Sequence, residues 1–215
     1  QDVLSDIRNM TGIVSPESGS YKEGSTVSIV ATPNPEYEFV GWSGDETGSA
    51  NLLSFEINSN KNIIAQFQKR KYNLKINILG EGTVSEEIIS SSKNSDYESG
   101  TIVRLTAIPS LGYYFTGWSN DVSGDTNPVE ININRAKTIT AKFEKKSYNL
   151  EIKVEGEGIV EEEIIETGKS TDYLFGTKVK LTPKPSEGWD FIKWKGDHNG
   201  DENPLEIIIN KATNI

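Results

Sequence analysis

The feature that most constrains the fold of this chain is an internal repeat with a period of 76 residues. Trp42, Trp118 and Trp194 are separated by this interval and stand in the related pentapeptides GWSGD, GWSND and KWKGD. Five other sets recur in the same register: Tyr21, Tyr97 and Tyr173; Gly24, Gly100 and Gly176; Pro33, Pro109 and Pro185; Phe39, Phe115 and Phe191; and Asp45, Asp121 and Asp197. Self-similarity at a fixed period indicates a tandem array, so the sequence predicts three copies of one module.

Alignment of the copies gives the domain organisation. Module 1 comprises residues 1–70, module 2 comprises 71–146 and module 3 comprises 147–215. The opening QDVLSDIRNM of module 1 aligns only weakly with KYNLKINILG of module 2, which leaves the first strand of module 1 uncertain.

Module 3 ends at Ile215, which aligns with Ile139. It therefore has no counterpart of TAKFE at 140–144, the last strand expected in module 2. The simplest explanation is that the sequence is a segment of a longer protein. The alternative is that a strand from a neighbouring chain completes the open sheet edge, which would give head-to-tail assembly by strand addition.

The fold class follows from period-2 alternation of apolar and polar residues, which is the signature of half-buried strands. Module 2 contains six such segments, at 72–79, 83–90, 101–108, 113–119, 129–133 and 138–143. The GEG sequence between the first two predicts a hairpin turn. No segment has a convincing helical period. We therefore expect an all-β chain, a tandem array of three small β-sheet modules with six short strands each and little or no helix.

Composition excludes several classes of partner. The net charge of −10 argues against binding to nucleic acid or an anionic membrane, because both require a cationic surface. No apolar run approaches the roughly 20 residues that span a bilayer, so we expect no membrane insertion by this segment. The chain has no cysteine, which excludes disulfides and thiolate metal sites.

The recurring tryptophan has two possible roles. Trp42, Trp118 and Trp194 are first predicted as structural core, together with Phe39, Phe115 and Phe191, because a small module needs large apolar side chains. Phenylalanine and tryptophan reach the same face of the strand only if the chain bulges near the intervening glycine, such as Gly117. The alternative is that the tryptophans, with the recurring tyrosines, are exposed and stack on sugar rings as a carbohydrate-binding platform.

The acidic loop after each tryptophan is the candidate metal site. Asp121 with Asp125, and Asp197 with Asp201, place two carboxylates four residues apart on a glycine-containing turn, which could supply oxygen ligands to Ca²⁺. Asx-type turns alone would also explain these residues. No other cofactor is expected.

A catalytic site is not predicted. His198 is the only histidine, and it occupies a turn position that holds Glu46 or Val122 in the other modules. No nucleophile motif accompanies it, and the GEG sequences precede strands, whereas a nucleotide-binding loop precedes a helix. The acidic runs at 86–90 and 161–166 are interpreted as a solvated strand face.

The ordered motifs carry a family resemblance. The succession YNLKINILGEGTV, G-T-x-V-x-L-T-A-x-P, G-Y-x-F-x-G-W-S, a loop ending in NP, I-x-I-N and TITAKF resembles the divergent internalin-B-type B-repeat, a bacterial repeat module. The resemblance covers nearly the whole chain and is fullest in module 2. It implies a secreted or cell-surface bacterial protein and no catalytic residues.

These observations predict a non-catalytic spacer, stalk or adhesion segment located outside the cell or on the bacterial surface. The linkers QKRK at 68–71 and EKKS at 144–147 are short and contain neither Gly nor Pro, so they should limit the movement of neighbouring modules. The expected partners are adjacent domains of the same chain. An extracellular glycan, a surface protein and end-to-end self-association remain alternatives.

Overall fold

The structure is a computed structural model that describes residues 11–90, 96–166 and 172–215. Every named element in these ranges is a β-strand, which confirms the all-β prediction. Residues 1–10, which contain the uncertain first strand of module 1, lie outside the described residues, as does part of the loop expected after residue 90. Within the described ranges, no helix has the length and apolar character needed to cross a membrane.

The described part of module 1 contains two sheets built from five strands. The strands are β1 (Gly12–Ser15), β2 (Thr26–Pro33), β3 (Tyr37–Gly44), β4 (Leu52–Glu56) and β5 (Ile63–Lys69). One sheet has the order β1-β2-β4 and the other pairs β3 with β5, and all of these pairings are antiparallel.

The described part of module 2 has all six predicted strands and two additional strands of two residues each. The elements are β6 (Lys71–Tyr72), β7 (Leu74–Leu79), β8 (Gly82–Ser90), β9 (Tyr97–Glu98), β10 (Thr101–Pro109), β11 (Tyr113–Asn120), β12 (Val129–Ile133) and β13 (Lys137–Lys145). The sheet orders are β12-β10-β8 and β11-β13-β7, and β6 pairs with β9.

Module 3 repeats most of this arrangement. Its strands are β14 (Ser147–Tyr148), β15 (Leu150–Glu151), β16 (Gly158–Glu166), β17 (Tyr173–Leu174), β18 (Thr177–Pro185), β19 (Leu205–Ile209) and β20 (Thr213–Asn214). The sheet β16-β18-β19 corresponds to β8-β10-β12, and β14 pairs with β17. The short β20 pairs in parallel with β15, at the place that β13 and β7 occupy in module 2.

The expected hairpin between the first two strands of module 2 is wrong. β7 pairs with β13 and β8 pairs with β10, so the GEG turn leads from one sheet into the other. Gly80 has a φ of 85°, and a Cβ atom there would lie 2.0 Å from the main-chain oxygen of Phe143. The turn is therefore packed against β13.

The core of module 1 lies between its two sheets. Val27, Ile29 and Ala31 alternate along β2 and point inward, where they meet Trp42 of β3. Half-buried apolar side chains from β4 and β5 complete the cluster. Each fully buried aliphatic side chain of this kind contributes roughly 1.5–3 kcal/mol, so the alternation read from the sequence is the main source of stability for so small a unit.

Module 3 has the equivalent core. Val179 and Leu181 of β18 are fully buried against Ile209 of β19 and Trp194. Tyr173 of β17 closes the end of this cluster. The corresponding residues of module 1 are Val27, Ile29, Ile57 and Trp42, so three of these four core positions hold the same residue in both modules.

The linkers between modules are held by main-chain hydrogen bonds on both sides. At the first junction, the Arg70 nitrogen donates to the Glu36 oxygen of module 1 at 2.9 Å, and the Ser99 nitrogen of module 2 donates to the Arg70 oxygen at 2.8 Å. At the second junction, the Lys146 nitrogen donates to Gly112 and the Phe175 nitrogen donates to Lys146, both at 2.8 Å. The two junctions are thus built in the same way.

Main-chain contacts divide the chain into two compact units. One contains the described residues up to Ile76, together with Glu86–Thr106 and Asn127–Ile139. The other contains Asn77–Ser85, Ala107–Thr126 and Thr140–Ile215. Module 2 contributes to both units, and each of the two junctions lies within a single unit.

Candidate functional site

Each recurring tryptophan donates two hydrogen bonds to the loop that follows it, one from its main-chain nitrogen and one from its indole nitrogen. The Trp42 nitrogen donates to the Gly48 oxygen at 2.8 Å, and its indole Nε1 donates to the Ala50 oxygen at 2.9 Å. In modules 2 and 3, Trp118 and Trp194 make the same pair of bonds to the residues six and eight positions later. The pentapeptide therefore positions a loop in all three modules.

A β-bulge brings the tryptophan onto the core face of its strand. In β3 the pairing register with β5 shifts between Phe39 and Gly41, so Val40 is the extra residue. The bulge places the rings of Phe39 and Trp42 5.2 Å apart, and the equivalent rings in modules 2 and 3 are 5.0 Å apart. The three phenylalanines, Phe39, Phe115 and Phe191, are half-buried against these indoles.

The sugar-platform hypothesis disagrees with the burial of these rings. Trp42, Trp118 and Trp194 are each 4% exposed, so their faces are not accessible to a sugar. Tyr97 and Tyr173 are buried as well, and only Tyr21 is exposed among the three recurring tyrosines. The physical reason is the bulge, because it turns a side chain that strict alternation would direct to solvent toward the core.

The aspartate after each tryptophan binds the protein's own main chain in modules 1 and 3. Asp45 Oδ2 accepts the Asn62 N–H at 2.6 Å, and Asp197 Oδ2 accepts the Asn214 N–H at 2.9 Å. Asp197 Oδ1 also accepts a bond from Lys211 Nζ at 2.7 Å. The lysine, and then the main-chain N–H, lower the pKa of the Asp197 carboxyl.

The proposed calcium ligands are not gathered into a cluster. Asp125 and Asp201 are exposed, and Asp121 is half-buried. In the parts of the chain that the structure describes, no group of three or more His, Cys, Asp or Glu side chains is arranged to hold a metal ion. Asp45 and Asp197 accept main-chain N–H groups 17 residues later in the chain, so these bonds are not local Asx turns.

The remaining polar candidates form local surface pairs. His198 Nε2 lies 3.1 Å from Glu202 Oε2 within its own turn, an interaction that lowers the pKa of the Glu202 carboxyl. The acidic runs at 86–90 and 161–166 lie on β8 and β16. Glutamates of these runs pair with cationic side chains of the neighbouring strands β10 and β18. Examples are Glu87 with Arg104 and Glu163 with Lys180. These contacts are ordinary cross-strand pairs on a solvated face.

Sequence reasoning did not identify the acceptors of the indole bonds. The partners of the three indoles are main-chain oxygens of Ala50, Thr126 and Glu202. Every residue has a main-chain oxygen, so residue type carries no signal for this contact. The only related signal in the sequence is that the loop after each tryptophan has the same length in all three modules. The acceptor therefore always lies eight residues after the tryptophan.

Comparison with known proteins identifies the repeated unit. A family model described as the divergent InlB B-repeat domain matches the chain three times in succession, over residues 7–71, 72–147 and 148–215. This match confirms the resemblance drawn from the motifs. No curated protein and no solved structure matches the chain significantly.

Proposed function

Because this chain belongs to the divergent InlB B-repeat domain family, with three tandem copies, we propose that it is a non-catalytic spacer in a secreted or cell-surface bacterial protein. Its role is to hold neighbouring domains at a fixed separation, and any adhesive or anchoring activity belongs to those neighbours. The observation that carries this proposal is the construction of the two junctions.

Each junction uses main-chain atoms, so its geometry does not depend on which side chains are present. Arg70 and Lys146 are both cations, but Ser99 and Phe175 differ in size and polarity and still donate the same bond. Next to these bonds, Lys71 pairs with Glu98 and Ser147 pairs with Leu174 in short antiparallel strands. A linker that is hydrogen-bonded on both sides and continues into a strand is not a free hinge.

The surface of the modules also suits a spacer. Exposed strand faces carry opposite charges on neighbouring strands, as in the pairs Lys178–Glu206 and Lys184–Glu161. The net charge of −10 opposes association between copies. The indoles of Trp42, Trp118 and Trp194 are buried, which opposes glycan binding through these three rings.

Amide hydrogen exchange of the full chain tests this proposal. We expect the Ser99 and Phe175 amides, which donate across the junctions, to be protected to the same degree as amides in the middle of β10 and β18. If they exchange at the rate of an unstructured peptide, the junctions are open hinges and the spacer function is wrong.

A pair of substitutions makes the test specific. Lys146→Pro removes the N–H that bonds Gly112, whereas Lys146→Ala keeps it. We expect faster exchange at Phe175 in the proline variant only, with Ser99 unchanged as an internal control. Specific binding of a glycan, or enzymatic turnover, by the purified segment would also overturn the proposal.

A further inference from the structure

The two junctions share their main-chain bonds but differ in the side chains that meet there. Glu36 lies in the turn before β3, and Gly112 lies in the equivalent turn before β11, 76 residues later. On the other side of each junction, Ser99 follows β9 and Phe175 follows β17, again 76 residues apart. The same two positions of the repeat therefore meet twice, as Glu36 with Ser99 and as Gly112 with Phe175.

At the second junction, the aromatic ring of Phe175 lies directly on Gly112. Gly112 is buried and Phe175 is half-buried. A Cβ atom placed on Gly112 would overlap the ring, at 2.5 Å from its Cγ atom. Non-bonded carbon atoms are at their optimal separation at about 3.5–4.0 Å, so any residue other than glycine would push the ring away.

At the first junction the sizes of the two side chains are reversed. Ser99 is 2% exposed. The Glu36 carboxylate reaches over the same segment, since its Oε1 atom lies 3.5 Å from where a Cβ atom would stand on the next residue, Gly100. A long side chain of module 1 thus covers a small residue of module 2. A phenylalanine at position 99 would have to share this space with Glu36.

The turn that carries the first member of each pair has two forms. The main-chain nitrogen of the following residue, Tyr37 or Tyr113, donates to the first residue of the turn at 2.9 or 3.0 Å, so both are β-turns. Gly112 has a φ of 79°, as in a type II turn, whereas Glu36 has a negative φ, as in a type I turn. Glycine at this position therefore changes the path of the turn as well as the size of the side chain.

The turn residue also accepts the main-chain bond that closes the junction. The Arg70 nitrogen donates to the Glu36 oxygen at 2.9 Å, and the Lys146 nitrogen donates to the Gly112 oxygen at 2.8 Å. A poor fit between the paired side chains would separate these bonded atoms. The shared bonds thus set the geometry of a junction, and the side-chain pair decides whether two given modules can form it.

We propose that these two positions form a size-complementary pair that determines which repeat module can follow which. A module with an aromatic residue at the position of Phe175 needs a glycine turn in the module before it, whereas a module with a small residue there accepts a longer side chain such as Glu36. The partner of this surface is a neighbouring copy of the repeat with the matching residue, and mismatched neighbours are excluded by overlap. This inference rests on the closed junctions of the proposed function and adds a rule for the order of modules.

Transfer of the second pair into the first junction tests the rule in the full chain. Ser99→Phe should open the first junction, because the new ring overlaps Glu36. Glu36→Gly in the same chain should close it again, since proline followed by glycine, here Pro35 and position 36, suits a type II turn. Glu36→Gly alone should not increase protection of the junction.

Hydrogen exchange of the Arg70 amide, which donates to residue 36, measures the opening of this junction. We expect Ser99→Phe to exchange at least about tenfold faster than the natural chain, and the double variant to recover most of the lost protection. Amides in the middle of β2 and β18 are the control for folding and should stay protected in every variant.

Gly112→Ala tests the second junction, with Gly188→Ala as its matched control. Gly188 is the module 3 counterpart, with a φ of 81°, and among the described residues no atom beyond its chain neighbours lies within 4 Å of a Cβ atom placed there. Gly188→Ala therefore measures the backbone strain alone. The urea midpoint of Gly112→Ala should be lower than that of Gly188→Ala by roughly 0.5 M. With Phe175→Ser in both chains, which installs the module 2 residue, the two alanine variants should have equal midpoints.

The outcomes separate this inference from the proposed function. Failure of Glu36→Gly to restore protection in the Ser99→Phe chain would overturn the pairing rule. Equal midpoints of Gly112→Ala and Gly188→Ala in the presence of Phe175 would also overturn it. Both results leave the closed junctions of the natural chain intact, whereas rapid exchange of the Arg70 and Lys146 amides in the natural chain would overturn the proposed function as well.

Discussion

The indole Nε1 of Trp118 donates a hydrogen bond to the main-chain oxygen of Thr126, eight residues later, at 2.9 Å. The main-chain nitrogen of Trp118 bonds Gly124 in the same loop at 2.7 Å. One residue therefore contributes to the apolar core and also satisfies two loop carbonyls. This double role explains why tryptophan, and not another aromatic residue, recurs at this position.

Replacement of Trp118 should destabilise module 2. Trp118→Ala is expected to cost roughly 3–5 kcal/mol, because a 4% exposed ring is removed from the core. Trp118→Phe retains apolar volume but leaves the Thr126 oxygen without its partner, at about 1–3 kcal/mol. Urea denaturation followed by circular dichroism measures both losses.

Trp189→Ala is the matched control for these variants. Its side chain is half-exposed, so the loss of stability should be clearly smaller. Equal losses for Trp118→Ala and Trp189→Ala would show that Trp118 is not a core residue.

Gly117 should tolerate no side chain. It has a φ of 146°, and a Cβ atom would lie 3.0 Å from the Gly124 oxygen. Gly117→Ala is therefore expected to lower stability by about 1–3 kcal/mol through backbone strain. The counterpart Lys193 has no such backbone conformation, so Lys193→Ala should be nearly neutral. Thermal melting of the two variants checks this difference, and similar melting temperatures would contradict it.

Asn120 occupies a left-handed backbone position. Its φ is 76°, and the counterparts in the other modules are Gly44 and Gly196, with φ of 98° and 97°. Its Nδ2 also donates to Thr140 Oγ1 at 2.8 Å. Asn120→Ala should be less stable than Asn120→Gly by about 1–2 kcal/mol, since only alanine is strained in this conformation. Equal stabilities in urea would disprove the argument.

The Asp197 carboxyl should make stability depend on pH. Lys211 and the Asn214 N–H lower its pKa in the folded chain. A lowered folded pKa means that the ionised group stabilises the fold above the unfolded aspartate pKa, and that this contribution is lost as the pH falls through the folded pKa. The stability difference between the natural chain and Asp197→Asn should therefore be present at pH 7 and vanish in acid.

Asp201→Asn provides the comparison for that experiment. Asp201 is exposed in the same loop, so Asp201→Asn should change stability little at pH 7. The effect at Asp197 will be small, because the carboxyl is accessible to solvent and salt screens it. Melting curves recorded between pH 7 and pH 3 measure both variants.

The sequence predicted the strands of module 2 well, because alternation of apolar and polar residues marks most of them, as in β10. Val103, Leu105 and Ala107 were expected on one face of their strand, and all three are buried. The bulge near the tryptophan was also foreseeable, since Phe115 and Trp118 could share a face only if the alternation was broken. Local patterns of this kind reflect side-chain burial directly.

Strand pairing was less predictable. The GEG sequence has the composition of a hairpin turn, but β7 pairs with β13, which is more than fifty residues away in sequence. The choice depends on the fit of Phe143 against Gly80 and Gly82, a contact that no local window contains. The pairs Asp45–Asn62 and Asp197–Asn214 were missed for the same reason, because their acceptors and donors are 17 residues apart.

The position of β13 between β11 and β7 has a consequence for folding during synthesis. The strand that completes this sheet is the last part of module 2 to leave the ribosome, while β7 is among the first. Pairing of such distant segments is slow. Each module therefore waits, incompletely folded, until its final residues emerge, and during that interval an emerging neighbour can insert its own strand. Tandem copies with similar final strands, such as IIAQF and TITAKF, are thus exposed to strand exchange during biogenesis.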